Sequence, residues 1–395
     1  MDKRVKLSIL LTINNMKLND LVDFVKSGDI SLEEMIDNGL NPLLVSQVEE
    51  HFKKESERIV TEEDMIRSCQ LIENGEVNAI KVREMLLSGA VTEDLLLKHT
   101  SLSQDMISRI KNYQKQQTPF VEWKDLPPLK SGYTDLYFLG QPGSGKSCIL
   151  ASIFYYLNLN GMIIDNVHNL KGTIYRNQLV DEFSYGILPD STAVDGVNYI
   201  PIELQNNSEE FKGRKHPLNF IEMSGELFDK TYKGGISIDS IAAKDYLNNT
   251  NRKLLYFILD YHQYEKSKTV AMGASQSNKL QAVLALLDQY GTLEHTDGIY
   301  IVVTKSDLFP YGVNQKEYAA NFVKENFKGL ITNCKNLQEK YRDMFKIIVY
   351  PFSIGDVRFQ NMLVNINPES PEMVVEDIIQ HSFMTTNSIK RKFFS

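Results

Sequence analysis

Eight residues constrain this chain more than any others. Gly140-Gln141-Pro142-Gly143-Ser144-Gly145-Lys146-Ser147 fits the pattern G-x-x-x-x-G-K-[ST] without a mismatch. The apolar run Leu136–Leu139 precedes it and reads as a strand, and Cys148–Phe154 reads as the start of a helix. Gly140, Gly143 and Gly145 let backbone N–H groups converge on anionic oxygens, with Ser144 between them. The helix N-terminus adds a dipole that favours the same charge. Strand, loop and helix in this order predict a phosphate-binding loop. In that loop Lys146 would reach the β- and γ-phosphates of a nucleotide, and the Ser147 hydroxyl would ligate Mg²⁺. Cys148 is grouped with the loop as a small residue against the nucleotide.

The surrounding pattern predicts an α/β domain. Apolar runs fall at 136–139, 199–204, 218–221, 254–259, 299–303 and 345–350, with helical stretches such as 275–290 and 315–341 between most of them. Such alternation predicts a mainly parallel, six-stranded sheet with flanking helices.

Two further motifs lie at strand ends. Ile299–Val303 runs into Thr304-Lys305-Ser306-Asp307, and Leu218–Ile221 runs into Glu222-Met223-Ser224-Gly225-Glu226. Together with the phosphate loop they make residues 135–381 resemble the Ras-like and translation-factor-like P-loop GTPases. The resemblance implies that Asp307 accepts hydrogen bonds from guanine N1–H and the exocyclic amine, and that the Lys305 stem packs over the base. Thr304 begins that [NT]-K-x-D element. Ser353-Ile354-Gly355 resembles the family's S-A-K element, which touches guanine through backbone. Glu222 stands where the family carries the Asp of D-x-x-G, whose carboxylate holds Mg²⁺ through water. Gly225 would offer its N–H to the γ-phosphate. Glu226 falls where many members carry the Gln that positions water. In the first-switch region, Leu188–Thr192, the resemblance makes Thr192 the Mg²⁺-sensing threonine, with Ser191 the runner-up.

The N-terminal third is built differently. Only Phe24, Phe52 and Tyr113 precede Pro119, in a chain with 19 Tyr, 19 Phe and one Trp. Its signals are short helices: hydroxyl caps with acidic first turns (Ser31 and Thr61) and glycine stops at 28, 75 and 89. Matching apolar positions at offsets of 61 and 62 suggest a duplication of units 18–55 and 80–115. The expected organisation is a helical interaction domain over 1–118, a linker over 119–134, the nucleotide domain over 135–385 and a basic tail over 386–395.

A net charge of −8 disfavours sequence-independent nucleic-acid binding. The three scattered cysteines suggest neither a disulfide framework nor a zinc cluster, and a reducing cytoplasm fits them. The basic start lacks a cleavage site, and no run of 18 apolar residues would span a membrane. The expectation is a cytoplasmic GTP/GDP- and Mg²⁺-binding protein. It would hydrolyse GTP slowly, act as a switch and engage a protein partner through its N-terminal helices. Two other readings stay open: an ATPase or kinase of the same loop class, and an assembly subunit that holds nucleotide without turnover.

Overall fold

The structure is a computed structural model describing residues 21, 22, 25, 42–56, 61–113, 121–165, 168–189, 196–206, 213–225, 245–267, 276–342 and 344–393. Labels number the elements of these residues in chain order.

The sheet grows outward from β1 (Thr134–Gly140), every residue of which is buried. A strand so placed must satisfy backbone groups on both edges, and β1 pairs in parallel with β4 (Lys215–Met223) and β5 (Arg252–Asp260). Beyond β5 lie β6 (Thr296–Thr304) and β7 (Lys346–Phe352), both parallel. Beyond β4 lie β3 (Val197–Gln205) and β2 (Ile163–Asp165), both antiparallel to their neighbours. The order is β2-β3-β4-β1-β5-β6-β7.

This corrects the expected six strands to seven. The extra strand, β2, has three half-exposed residues on the sheet edge, too few to show an alternation, and only pairing with β3 makes it a strand.

Successive side chains of a strand face opposite sides, so each face of the sheet needs its own cover. On one face Tyr137, Leu139, Phe257 and Ile301 pack with Leu280, Leu284, Phe322, Val323 and Leu330. These come from helices α9 (Gln276–Gln289), α10 (Gln315–Asn326) and α11 (Lys328–Lys340), while the short α8 (Tyr261–Ser267) follows β5 directly. On the other face Leu136, Phe138, Phe220 and Tyr256 pack with Ile153, Phe154, Leu179, Phe183, Val374 and Ile378. Their helices are α6 (Lys146–Leu159), α7 (Leu170–Ser184) and α12 (Glu369–Phe393). Rings cross this second face in register: Phe138 stacks on Tyr256 at 4.9 Å, and Tyr256 on Tyr300 at 4.7 Å. α12 continues through Phe393, so the residues expected to form a basic tail are helical at least that far.

The N-terminal helices follow the repeated sequence pattern of stop and cap. α1 is Pro42–Ser56, α2 Glu62–Glu73, α3 Ala79–Leu87, α4 Glu93–His99 and α5 Gln104–Asn112. Thr61 closes a capping box with Asp64, and Asn78, Thr92 and Ser103 each accept a first-turn N–H. Cys69, Ile72, Val82, Leu96, Ile107 and Ile110 form their apolar centre. The cluster does not close on itself. Ile187, Phe359 and Met362 from the second half of the chain complete it. Of the two suggested duplicated units, the first lies largely outside the described residues.

One small element is absent from the sequence expectation: a hairpin of β8 (Gly355–Arg358) and β9 (Met362–Ile366), set between β7 and α12. Short and largely exposed on one strand, it carries no clear apolar period.

Candidate nucleotide site at the sheet edge

The parallel strands β1, β4, β5, β6 and β7 all end on one edge of the sheet, where loops to either side of β1 diverge. Open α/β sheets bind ligands in that crevice. The chemistry-bearing residues of the sequence collect there from four strand ends.

Gly140 ends β1, and Gly145, at φ 94°, caps α6, so only a residue without Cβ turns the chain smoothly into the helix. Lys146 is buried, and its Nζ donates to the carbonyls of Gly140 at 2.8 Å and Gln141 at 3.0 Å. Ser147 Oγ donates to Glu222 Oε1 at 2.6 Å. Glu222 is fully buried at the end of β4, and its Oε2 accepts from Tyr175 OH at 2.8 Å and Asn198 Nδ2 at 2.9 Å. A buried carboxylate needs such donors. Sequence reasoning missed Tyr175 and Asn198. Asn198 sits opposite Glu222 in the β3–β4 register, and Tyr175 arrives on α7; neither adjacency has a sequence signal. Gly225 approaches the loop so closely that a Cβ there would stand 2.1 Å from Pro142 N.

The serine hydroxyl and a single carboxylate at one point suit Mg²⁺, which keeps several waters and takes few protein ligands besides phosphate oxygens. Among the described residues no group of three His, Cys, Asp or Glu converges as a metal cage.

The ends of β5, β6 and β7 are equally ordered. Thr304 Oγ1 donates to Ser144 O at 2.9 Å and Leu259 O at 3.1 Å, tying the end of β6 to the phosphate loop. Lys305, at φ 60°, ion-pairs through Nζ with buried Asp260 Oδ2 at 2.6 Å. Asp260 ends β5 on the same edge, a position the sequence made legible but which sequence reasoning passed over. Asp307 Oδ1 accepts from Ser353 Oγ at 2.8 Å, and Ser353 Oγ in turn accepts from Gly355 N at 3.1 Å. Thr304, Lys305 and Asp307 line one cavity of about 490 Å³, whose walls also include Gly143, Gly145, Cys148 and Ile354. Burial, with Glu222 nearby, pushes the Cys148 thiol up to about 12, so it stays protonated.

Thr192, Ser191 and Glu226 lie outside the described residues. Arg176 of α7 is buried and pairs with Asp165 of β2 at 2.7 Å. No helix among the described residues is long and apolar enough to cross a membrane.

No protein-family description and no curated protein matches this chain. Among solved structures it is similar to a "signal recognition particle receptor SRb-GTP/SRX complex" from Chaetomium thermophilum. The identity is 15%, over 58% of this chain and 94% of that one, with a TM-score of 0.33.

Proposed function

We propose that the chain binds guanine nucleotide with Mg²⁺ and hydrolyses GTP slowly, as a nucleotide-dependent switch. One observation carries this reading: the Asp307 carboxylate, oriented by Ser353, faces the same cavity as the phosphate loop. Guanine offers N1–H and an amine to such a carboxylate, whereas adenine has no matching donor pair. Lys146 neutralises charge on the β- and γ-phosphates, and Gly225 offers its N–H to the γ-phosphate. Ser147 and Glu222 would hold Mg²⁺, which when bound adds further charge neutralisation. Water attacks the γ-phosphorus in line, and the bond to the β–γ bridging oxygen breaks, giving GDP and phosphate. Thr192 and Glu226 are assigned to metal sensing and water positioning on the sequence resemblance. The N-terminal helices are the proposed partner surface, and the three free thiols fit a cytoplasmic setting.

The test is selectivity. Fluorescent GDP should bind the purified chain with Mg²⁺ and be displaced by GTP, not by ATP. Displacement by ATP at equal concentration would overturn the guanine reading.

A second reading, nucleotide binding without turnover, has support of its own. Both Glu222 oxygens are already engaged by three protein donors, which restrains the carboxylate from following a metal. Single-turnover hydrolysis of GTP separates the two.

A further inference from the structure

The β8–β9 hairpin touches three parts of the molecule at once. On one side Val357, Arg358, Phe359 and Gln360 wall the cavity that also holds Lys305 and Asp307. On the opposite side Phe359 and Met362 are buried in the apolar cluster of the N-terminal helices. There Gln360 Nε2 donates to Gly75 O at 2.9 Å, and the Ala79 N–H donates to Asn361 Oδ1 at 3.0 Å, closing the first turn of α3. The third contact is Gly186–Leu188. Leu363 N donates to Gly186 O at 2.6 Å, and Leu188 N to Asn361 O at 2.8 Å. Leu188 begins the segment read from the sequence as the first switch.

The hairpin tip is also strained. Phe359 and Gln360 stand in the left-handed region at φ 49° and 65°, two consecutive non-glycine positions. A conformation of that kind is unfavourable for residues with a Cβ and persists where surrounding contacts over-determine it. Here those contacts belong to the cavity wall and the helical cluster together, because Phe359 lines the one and is buried in the other.

We propose that this hairpin is a nucleotide-contacting lever. Arg358 and Phe359 close the outer wall of the guanine-nucleotide cavity, and Gln360 and Asn361 fasten that wall to the α2–α3 turn and the first turn of α3. Nucleotide occupancy is thereby coupled to the seating of the N-terminal helices. The inference rests on the guanine-nucleotide reading above. Arg358 is exposed and lines the cavity, and its Nη1 donates to Ser101 Oγ at 3.5 Å beside the N-terminal helices, so a cation with a planar face stands between those helices and a site that would take an anionic, aromatic ligand. Linkage makes the coupling reciprocal: the factor by which seated helices strengthen nucleotide binding is the factor by which bound nucleotide strengthens their seating.

The two directions are measured on the full chain with fluorescent GDP and Mg²⁺. Asn361→Ala removes an acceptor for α3 without touching the cavity wall, and should weaken GDP at least about 5-fold, the lower end of ordinary coupling. Asn361→Asp keeps the acceptor and should restore affinity to within about two-fold, which excludes general misfolding. Arg358→Ala should weaken GDP directly by about 5-fold or more. In hydrogen exchange, GDP should slow the first-turn amides of α3 in the parent and not in Asn361→Ala. An Asn361→Ala affinity within two-fold of the parent, or α3 exchange indifferent to bound GDP, overturns the coupling. An unchanged Arg358→Ala affinity overturns the contact. If the parent binds ATP and GTP alike, the guanine reading fails by itself, and the exchange measurement repeated with ATP still decides the lever.

Discussion

At the residue scale the site is a set of short polar contacts in a buried edge, so single substitutions should have large and distinct effects. Lys146→Ala removes an ammonium already held by two loop carbonyls and should nearly abolish GTP binding or turnover. A folded Lys146→Ala protein with parental affinity would dissolve the phosphate assignment. Asp307→Asn should admit xanthine nucleotide, since the carboxamide can donate to the xanthine carbonyl. Losing one charge-assisted pair costs about 1.5–3 kcal/mol, or about 10- to 150-fold in GTP affinity, read as the ratio of GTP to XTP binding. Most of these residues were legible in the sequence because their spacing is local: the loop is contiguous, and Thr304–Asp307 is a tetrapeptide. Tyr175 and Asn198 were not legible, because what makes them part of the site is a helix crossing and the pairing of two strands; Asp260, at the end of an apolar run, was legible and passed over.

At the element scale α7 matters most. Its Gly172 lies against β3 so closely that a Cβ would stand 1.9 Å from Tyr199 O. Gly172→Ala should therefore push α7 off the sheet and draw Tyr175 away from Glu222. Overpacking of this kind costs about 1–3 kcal/mol, visible as a lowered thermal midpoint. Tyr175→Phe leaves the backbone in place and removes only the hydroxyl, with about 1.5–3 kcal/mol expected for a donor to a buried carboxylate. If Gly172→Ala retains the parental midpoint, the close approach of helix and strand is not sustained in solution.

At the scale of the whole molecule, a histidine at the end of the sheet remote from the cavity should contribute to acid sensitivity. His216 accepts or donates at 2.9 Å to Thr134 Oγ1, and burial, with Arg252 and His381 nearby, lowers its pKa from 6.5 to about 4. The unfolded chain binds this proton near pH 6.5 and the folded chain only near 4, so stability falls as pH drops through that window. The loss should reach about 2–3 kcal/mol by pH 4. Urea unfolding at pH 7 and pH 5 checks it, and His216→Gln should flatten the difference. A slope unaltered by His216→Gln would assign the acid sensitivity elsewhere. The same scale explains why N- and C-terminal parts are interdependent: α2–α5 bury their last apolar face against Ile187, Phe359 and Met362.

The sequence by itself determined the glycine-rich loop between strand and helix, the strand-and-helix alternation, the placing of Thr304–Asp307 at a strand end and the capped short helices. Each is encoded by neighbours along the chain, where glycine geometry, apolar period and cap chemistry act directly. Only the tertiary structure decided the rest. β2 is a strand because β3 offers it an edge. Glu222 is a held carboxylate because Ser147, Tyr175 and Asn198 arrive from three different elements. The hairpin at 355–366 joins the cavity to helices nearly three hundred residues earlier, as the bond from Gln360 to Gly75 illustrates. Contacts across such separations depend on which surfaces the fold brings together, and local sequence preference carries no record of that.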